Sequence, residues 1–169
     1  MKKPLFGWAF AVFALLAAGN AQADLSTFYY GVGVTDGSVR VPGNGSKSLG
    51  TVTGTFGIQL REGLGIELEF GTASDDMNSI LSAPLAQYQA ALLRMGFRWN
   101  EREVYALLGH ALIDIDDNLN PTDAGNAMGF GLNLFGSRTT AVNLHFLSLD
   151  DGNFNTASLG FQYYFGGYR

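Results

Sequence analysis

Six ionisable residues stand where their side chains could meet: Glu67, Glu69, Arg94, Arg98, His110 and His145. Carboxylates, guanidinium groups and imidazoles in one buried space make an ion-pair network, because a buried charge must be paired. Two histidines would add a group that titrates near pH 6.5. They are too few to hold a metal, and the chain of 169 residues has no cysteine to complete a zinc site. Asp114, Asp116, Asn118 and Asn120 place a side-chain oxygen at every second position, as in the first half of a calcium loop. Leu119 stands where the turn glycine belongs, however, and Gly125 where the closing glutamate belongs. His145 and Ser148 are three apart, so on a strand they point to opposite faces. There is no G-x-S-x-G elbow. No cofactor motif is present, and the expectation is a protein without enzymatic activity.

The elements that must position these residues alternate with period two, the signature of strands. Ala157, Leu159, Phe161, Tyr163 and Phe165 interleave with Thr156, Ser158, Gly160, Gln162 and Tyr164. Phe28, Tyr30, Val32 and Val34 alternate with small residues, as do Val52, Phe56, Ile58 and Leu60. Leu64 to Phe70 sets leucines and isoleucine against Glu67 and Glu69. Ala91 to Trp99 sets apolar residues against Arg94, Gly96 and Arg98, with Gln87 and Gln89 interrupting the apolar face above and suggesting a bulge or a late start. Tyr105, Leu107, Ala111 and Ile113 oppose Ala106, His110 and Asp114, though Leu108 and Leu112 break that pattern. Met128 to Leu134 and Val142 to Phe146 complete eight strands.

The connections alternate too. Residues 61–63, 100–103 and 136–138 read as tight turns. Residues 36–48, 74–82, 116–123 and 150–153 read as longer polar loops. An up-and-down barrel in an outer membrane has this rhythm, and closure leaves no strand edge unpaired in lipid. The polar faces are rich in Gly, Ser and Thr, which suit the cramped inside of an eight-stranded barrel. The apolar faces carry aromatics at their ends, as at a membrane interface. A soluble lipocalin-like barrel would present the opposite arrangement.

Composition agrees. The aromatic share of 13% is too high for a disordered chain, and a net charge of −5 argues against nucleic acid. Residues 1–23 read as a signal peptide: Lys2 and Lys3, an apolar run from Leu5 to Ala18, and an Ala21-Gln22-Ala23 cleavage site. The run is shorter than the roughly 20 residues of a spanning helix. Residues 24–169 are then one all-β domain, an eight-stranded antiparallel transmembrane barrel, and the protein leaves a bacterial cytoplasm.

Ser158-x-Gly160-x-x-Tyr163-x-Phe165 resembles the C-terminal assembly signal of the small eight-stranded outer-membrane β-barrels, of OmpA-transmembrane-domain or OmpX type. Tyr105-Ala-Leu-Leu-Gly109 is similar to a mid-barrel strand of that family, and the likeness covers residues 24–169. The chain departs from the pattern by continuing past the final aromatic as Gly166-Gly167-Tyr168-Arg169. The resemblance implies an outer-membrane location in a Gram-negative cell, and delivery by periplasmic chaperones and the barrel-assembly machinery. It leaves function open, since such barrels serve as anchors, adhesins or lipid-modifying enzymes. A lipid A deacylase of this fold would need a His-x-Ser pair and a later Glu, yet no Glu follows Ser148.

On that fold, pairing about the 100–103 turn sets Arg94 opposite His110 and Arg98 opposite Ala106. Pairing about 136–138 sets Gly129 opposite His145, and pairing across the 116–123 loop can set Gly129 beside His110 at the same level. Glu67 or Glu69 then reaches Arg94. The expected result is a lumen network of all six residues. Asp36, Asp75, Asp76, Asp116, Asp117, Asp123, Asp150 and Asp151 fall in or beside the longer loops. They point to envelope structure or surface interaction by a monomer, with outer-membrane lipid and lipopolysaccharide as partners, the latter through bridging divalent cations.

Overall fold

The computed structural model describes residues 27–41, 45–60, 63–74, 86–115 and 123–165. They form eight strands: β1 Thr27–Val41, β2 Gly45–Gln59, β3 Leu64–Ser74, β4 Ala86–Trp99, β5 Arg102–Ile115, β6 Asp123–Phe135, β7 Thr140–Leu149 and β8 Phe154–Phe165. Each pairs antiparallel with its sequence neighbours, and β8 returns to β1 to close the barrel. The segment read as a signal peptide and the calcium-like residues 116–120 lie outside the described residues.

Short turns close one end. Asn100 and Glu101 link β4 to β5, with Asn100 at φ 53, a left-handed conformation that asparagine tolerates. At the β6–β7 turn the Ser137 hydroxyl accepts the backbone N–H groups of Thr139 and Thr140, both at 3.1 Å. At the opposite end, residues Asp150–Gly152 form a 3-10 turn between β7 and β8. The expected 36–48 loop is a correction. Its described residues, 36–41 and 45–48, continue the ladder from Asp36↔Gly50 to Val41↔Gly45. Gly and Ser read as turn residues, yet the ladder needs only backbone N–H and C=O groups. Upper β4 pairs evenly with β3 and β5 from Ala86 onward, so no bulge accommodates Gln87 and Gln89.

The outer surface is apolar. Val32, Phe56, Phe97, Phe130 and Phe161 are each more than half exposed. Water would not tolerate so continuous an apolar skin, whereas lipid requires it. Tyr30, Tyr163 and Phe165 gather in ring contact at the short-turn end, where Phe97 stacks on Trp99.

Inside, three tyrosines lie flat over glycines of the adjacent strand. Tyr29 is the cross-strand partner of Gly57, Tyr88 of Gly71 and Tyr105 of Gly131. A Cβ on Gly57 would lie 2.0 Å from the Tyr29 ring, one on Gly71 2.0 Å from Tyr88, and one on Gly131 2.3 Å from Tyr105. The missing side chain is the berth for the ring. Above these rings, Leu92, Leu107, Ile113, Leu147, Leu149 and Phe154 form an apolar cluster towards the longer connections. Tyr29, Phe135, Ala141 and Tyr164 form another beside the short turns.

The face of β5 is reversed from the expectation. Tyr105, Leu107, Ala111 and Ile113 point inward and are buried, while Val104, Leu108 and His110 point outward. Both faces of β5 are apolar because its inner face meets the apolar lumen cluster, so alternation alone does not orient it.

Candidate functional site: a buried charge cluster

Between the two apolar clusters lies a polar network centred on Arg94. Inward register on β4 carries the guanidinium into the lumen, where Arg94 is fully buried. Nη1 donates to Glu67 Oε2 at 3.0 Å and to the Tyr29 hydroxyl at 3.1 Å. Nη2 donates to Glu103 Oε2 at 2.9 Å. The guanidinium carbon stands 3.7 Å from the Tyr105 ring centroid, a cation–π contact. Two carboxylates and two aromatic faces thus replace the water that the cation gave up.

A second pair lies beside it. His145 Nε2 is 3.1 Å from Glu69 Oε2, and His145 Nδ1 donates to Asn143 Oδ1 at 3.0 Å. Tyr29 and Tyr88 donate their hydroxyls to Glu67 and Glu69 at 2.5 Å each. Gln59 and Asn133 donate to Glu103 at 2.8 and 3.1 Å. Asn143 Nδ2 donates to Tyr105 and to Asn133 Oδ1, both at 2.6 Å. Tyr164 and Gln162 join through Asn133. Every one of the eight strands contributes a side chain, so the network ties the barrel wall to itself across its interior. Nothing here is arranged as a nucleophile with its base. Among the described residues no group of His, Asp and Glu could hold a metal ion.

Of the six residues read as a lumen network, the structure brings Glu67, Glu69, Arg94 and His145 together. Arg98 lies on the inward face at the short-turn end, where its guanidinium carbon stands 4.0 Å over the Phe135 ring and its Nε donates to the Asn100 carbonyl at 3.1 Å. His110 is a correction. It faces outward and is exposed, with Ala91 and Asn126 as cross-strand partners. Arg94 stands opposite Leu107 and Arg98 opposite Glu103, a register three residues from the expected one. An odd slip moves a strand's side chains to the other face. His145 stands opposite Gly131 rather than Gly129, an even slip that changes its level but not its face.

Glu103 reads from the sequence as a turn residue and proves central. It shares the inward parity of Tyr105 and Leu107, but since alternation alone does not orient β5, that parity gave no signal. Tyr29, Tyr88, Asn133 and Asn143 carry no charge and gave none. Of the expected assembly-signal residues, Ser158 and Gly160 face the lumen, and Tyr163 and Phe165 face outward, all on the strand that closes against β1.

Residues 8–165 match the family model of the outer membrane protein beta-barrel domain. Among solved structures, the attachment invasion locus protein Ail of Yersinia pestis aligns with a TM-score of 0.60 at 18% identity, over 83% of this chain and 99% of that one. The N-terminal β-barrel domain of Pseudomonas aeruginosa OprF gives 0.57 at 14% identity, over 81% and 97%. Neisserial surface protein A gives 0.53 at 11%, over 82% and 96%. These likenesses concern the fold. No curated protein matches the sequence. With its closed eight-stranded architecture, lipid-compatible exterior and family match over nearly its whole length, the chain belongs to the outer membrane protein β-barrel domain family and resides in the outer membrane.

Proposed function

We propose that this protein is a non-enzymatic outer-membrane barrel with a side-chain-filled lumen, serving envelope structure or surface interaction through its external acidic loops. The observation that carries this reading is the Arg94 network, which crosses the lumen with contributions from all eight strands and leaves Arg94, Glu69 and Glu103 without solvent exposure. A hydrated ion would have to displace it. Supporting the non-catalytic part, His145 points into the lumen while Ser148 lies on the outward face, so the two cannot act on one lipid. Asp36 is exposed on upper β1 and Asp150 heads the β7–β8 turn; the other loop acids lie outside the described side chains. Lipopolysaccharide, bridged by divalent cations, is the partner such acids suit. Folding then passes through periplasmic chaperones and the barrel-assembly machinery, after residues 1–23 are removed.

The test uses mature protein in liposomes. Swelling in small sugars should match that of protein-free liposomes, and lipid A added to the bilayer should keep its acyl chains by mass spectrometry. Swelling above background, or released acyl chains, would overturn the reading.

A further inference from the structure

The lumen wall opposite the apolar cluster is built differently. Along β1, β2 and β8 it carries hydroxyls and glycines. Thr35 Oγ1 lies 2.6 Å from Ser158 Oγ and 3.3 Å from Thr53 Oγ1, so three strands share one hydroxyl cluster. Gly33 and Gly160 stand directly opposite each other at the β1–β8 closure. Because these positions have no side chain, a cavity of about 10 Å³ remains between them and β7. Its polar lining comes from Thr53, Thr55, Asn143, His145, Ser158 and Gln162.

Two properties point to an occupant. The volume is about that needed for one water molecule. The lining mixes hydroxyl, carboxamide and imidazole groups with glycines, Val32 and Phe161, whereas cavities that stay dry are apolar throughout. Moreover, the buried His145 lines the cavity, with its Nε2 facing Glu69 Oε2 at 3.1 Å.

We propose that this cavity is a binding site for a single internal water, which joins the hydroxyl cluster of the β1–β8 closure to His145 and so to the Arg94 network. The water takes hydrogen bonds from hydroxyls on one side and meets the imidazole and carboxamides on the other. It extends the polar network to the seam where the barrel closes, which the apolar side chains on the opposite wall cannot do. Adding bulk is not an alternative: a Cβ on Gly33 would come within 3.0 Å of the Leu159 carbonyl oxygen, and one on Gly160 within 2.6 Å of that of Val32.

The experiment is water-to-amide cross-relaxation on isotope-labelled mature protein refolded in detergent micelles. A long-lived water should give cross-peaks at the amides of Gly31, Gly33 or Gly160. Their absence, with the barrel folded by its amide spectrum, overturns the proposal. The volume-conserving Thr55→Val variant supplies a second arm. With a bound water, the cross-peaks weaken and the urea unfolding midpoint falls. If the cavity is a dry void, the midpoint stays or rises, and the proposal fails.

Discussion

The guanidinium of Arg94 rests on the ring of Tyr105, 3.7 Å from its centroid, while Glu67 and Glu103 hold its two terminal nitrogens. The cation is therefore clamped on its face and at both ends. Removing it leaves two carboxylates in a space sealed from water. Arg94→Met should lower unfolding stability by about 3–5 kcal/mol. Urea titration in lipid vesicles, followed by gel mobility of unboiled samples, reads this. Adding Glu67→Gln and Glu103→Gln to that variant should recover part of the loss. A single variant as stable as the parent would show that the clamp carries no weight.

The ring berths predict a position-specific effect of one methyl group. Gly71→Ala places a Cβ against the Tyr88 ring, which must move away from Glu69. The expected cost is about 1–3 kcal/mol. Gly54→Ala is the control, since a Cβ there meets nothing within 4 Å. It should leave stability unchanged to within about 0.5 kcal/mol. Equal effects at both sites would contradict the berth.

The face of β5 can be read by charge. Ala106 and His110 both lie on the outward face of β5. Ala106→Arg should cost about 2–4 kcal/mol at a lipid-facing position, while the uncharged His110→Gln should change stability by no more than about 0.5 kcal/mol. A large penalty at His110 would place it inside the barrel after all.

Heat-modifiability tests the closed barrel in the membrane. Unboiled protein from the outer-membrane fraction should migrate differently from boiled protein on a denaturing gel. Intact mass of the same material should correspond to a chain starting at Asp24. A periplasmic, detergent-independent protein with no mobility shift would require the exterior to face water.

The alternation of seven strands was legible because each has one apolar and one small or polar face, as in Phe28–Val34 against Gly31 and Gly33. β5 was not, because the lumen it lines is itself apolar. Leu107 and Ile113 inside look the same in sequence as Leu108 and Leu112 outside. His110 reads as a polar, inward marker in the sequence, yet it faces outward. The turn contributed to the same mistake. Pairing Arg94 with His110 centres the hairpin on residue 102 rather than between Asn100 and Glu101, an odd shift of three that hid Glu103. Glu67, Glu69 and Arg94 were robust to these errors because β3 and the Ala91–Trp99 part of β4 alternate without ambiguity. The supporting amides and tyrosines were not legible, since Asn133 and Tyr29 acquire roles only from neighbours far away in sequence.

The pairing of Phe28 with Phe165 brings the start of β1 and the end of β8 side by side at the short-turn end. In space the chain is close to a ring that happens to be cut there. A short linker across that gap, with a new break in the β2–β3 or β6–β7 turn, would preserve all eight strand pairings, since such breaks at exposed turns are commonly tolerated. The order in which strands leave the ribosome would change while the finished cylinder stayed the same. This barrel is thus a scaffold in which the route of assembly can be varied independently of the destination.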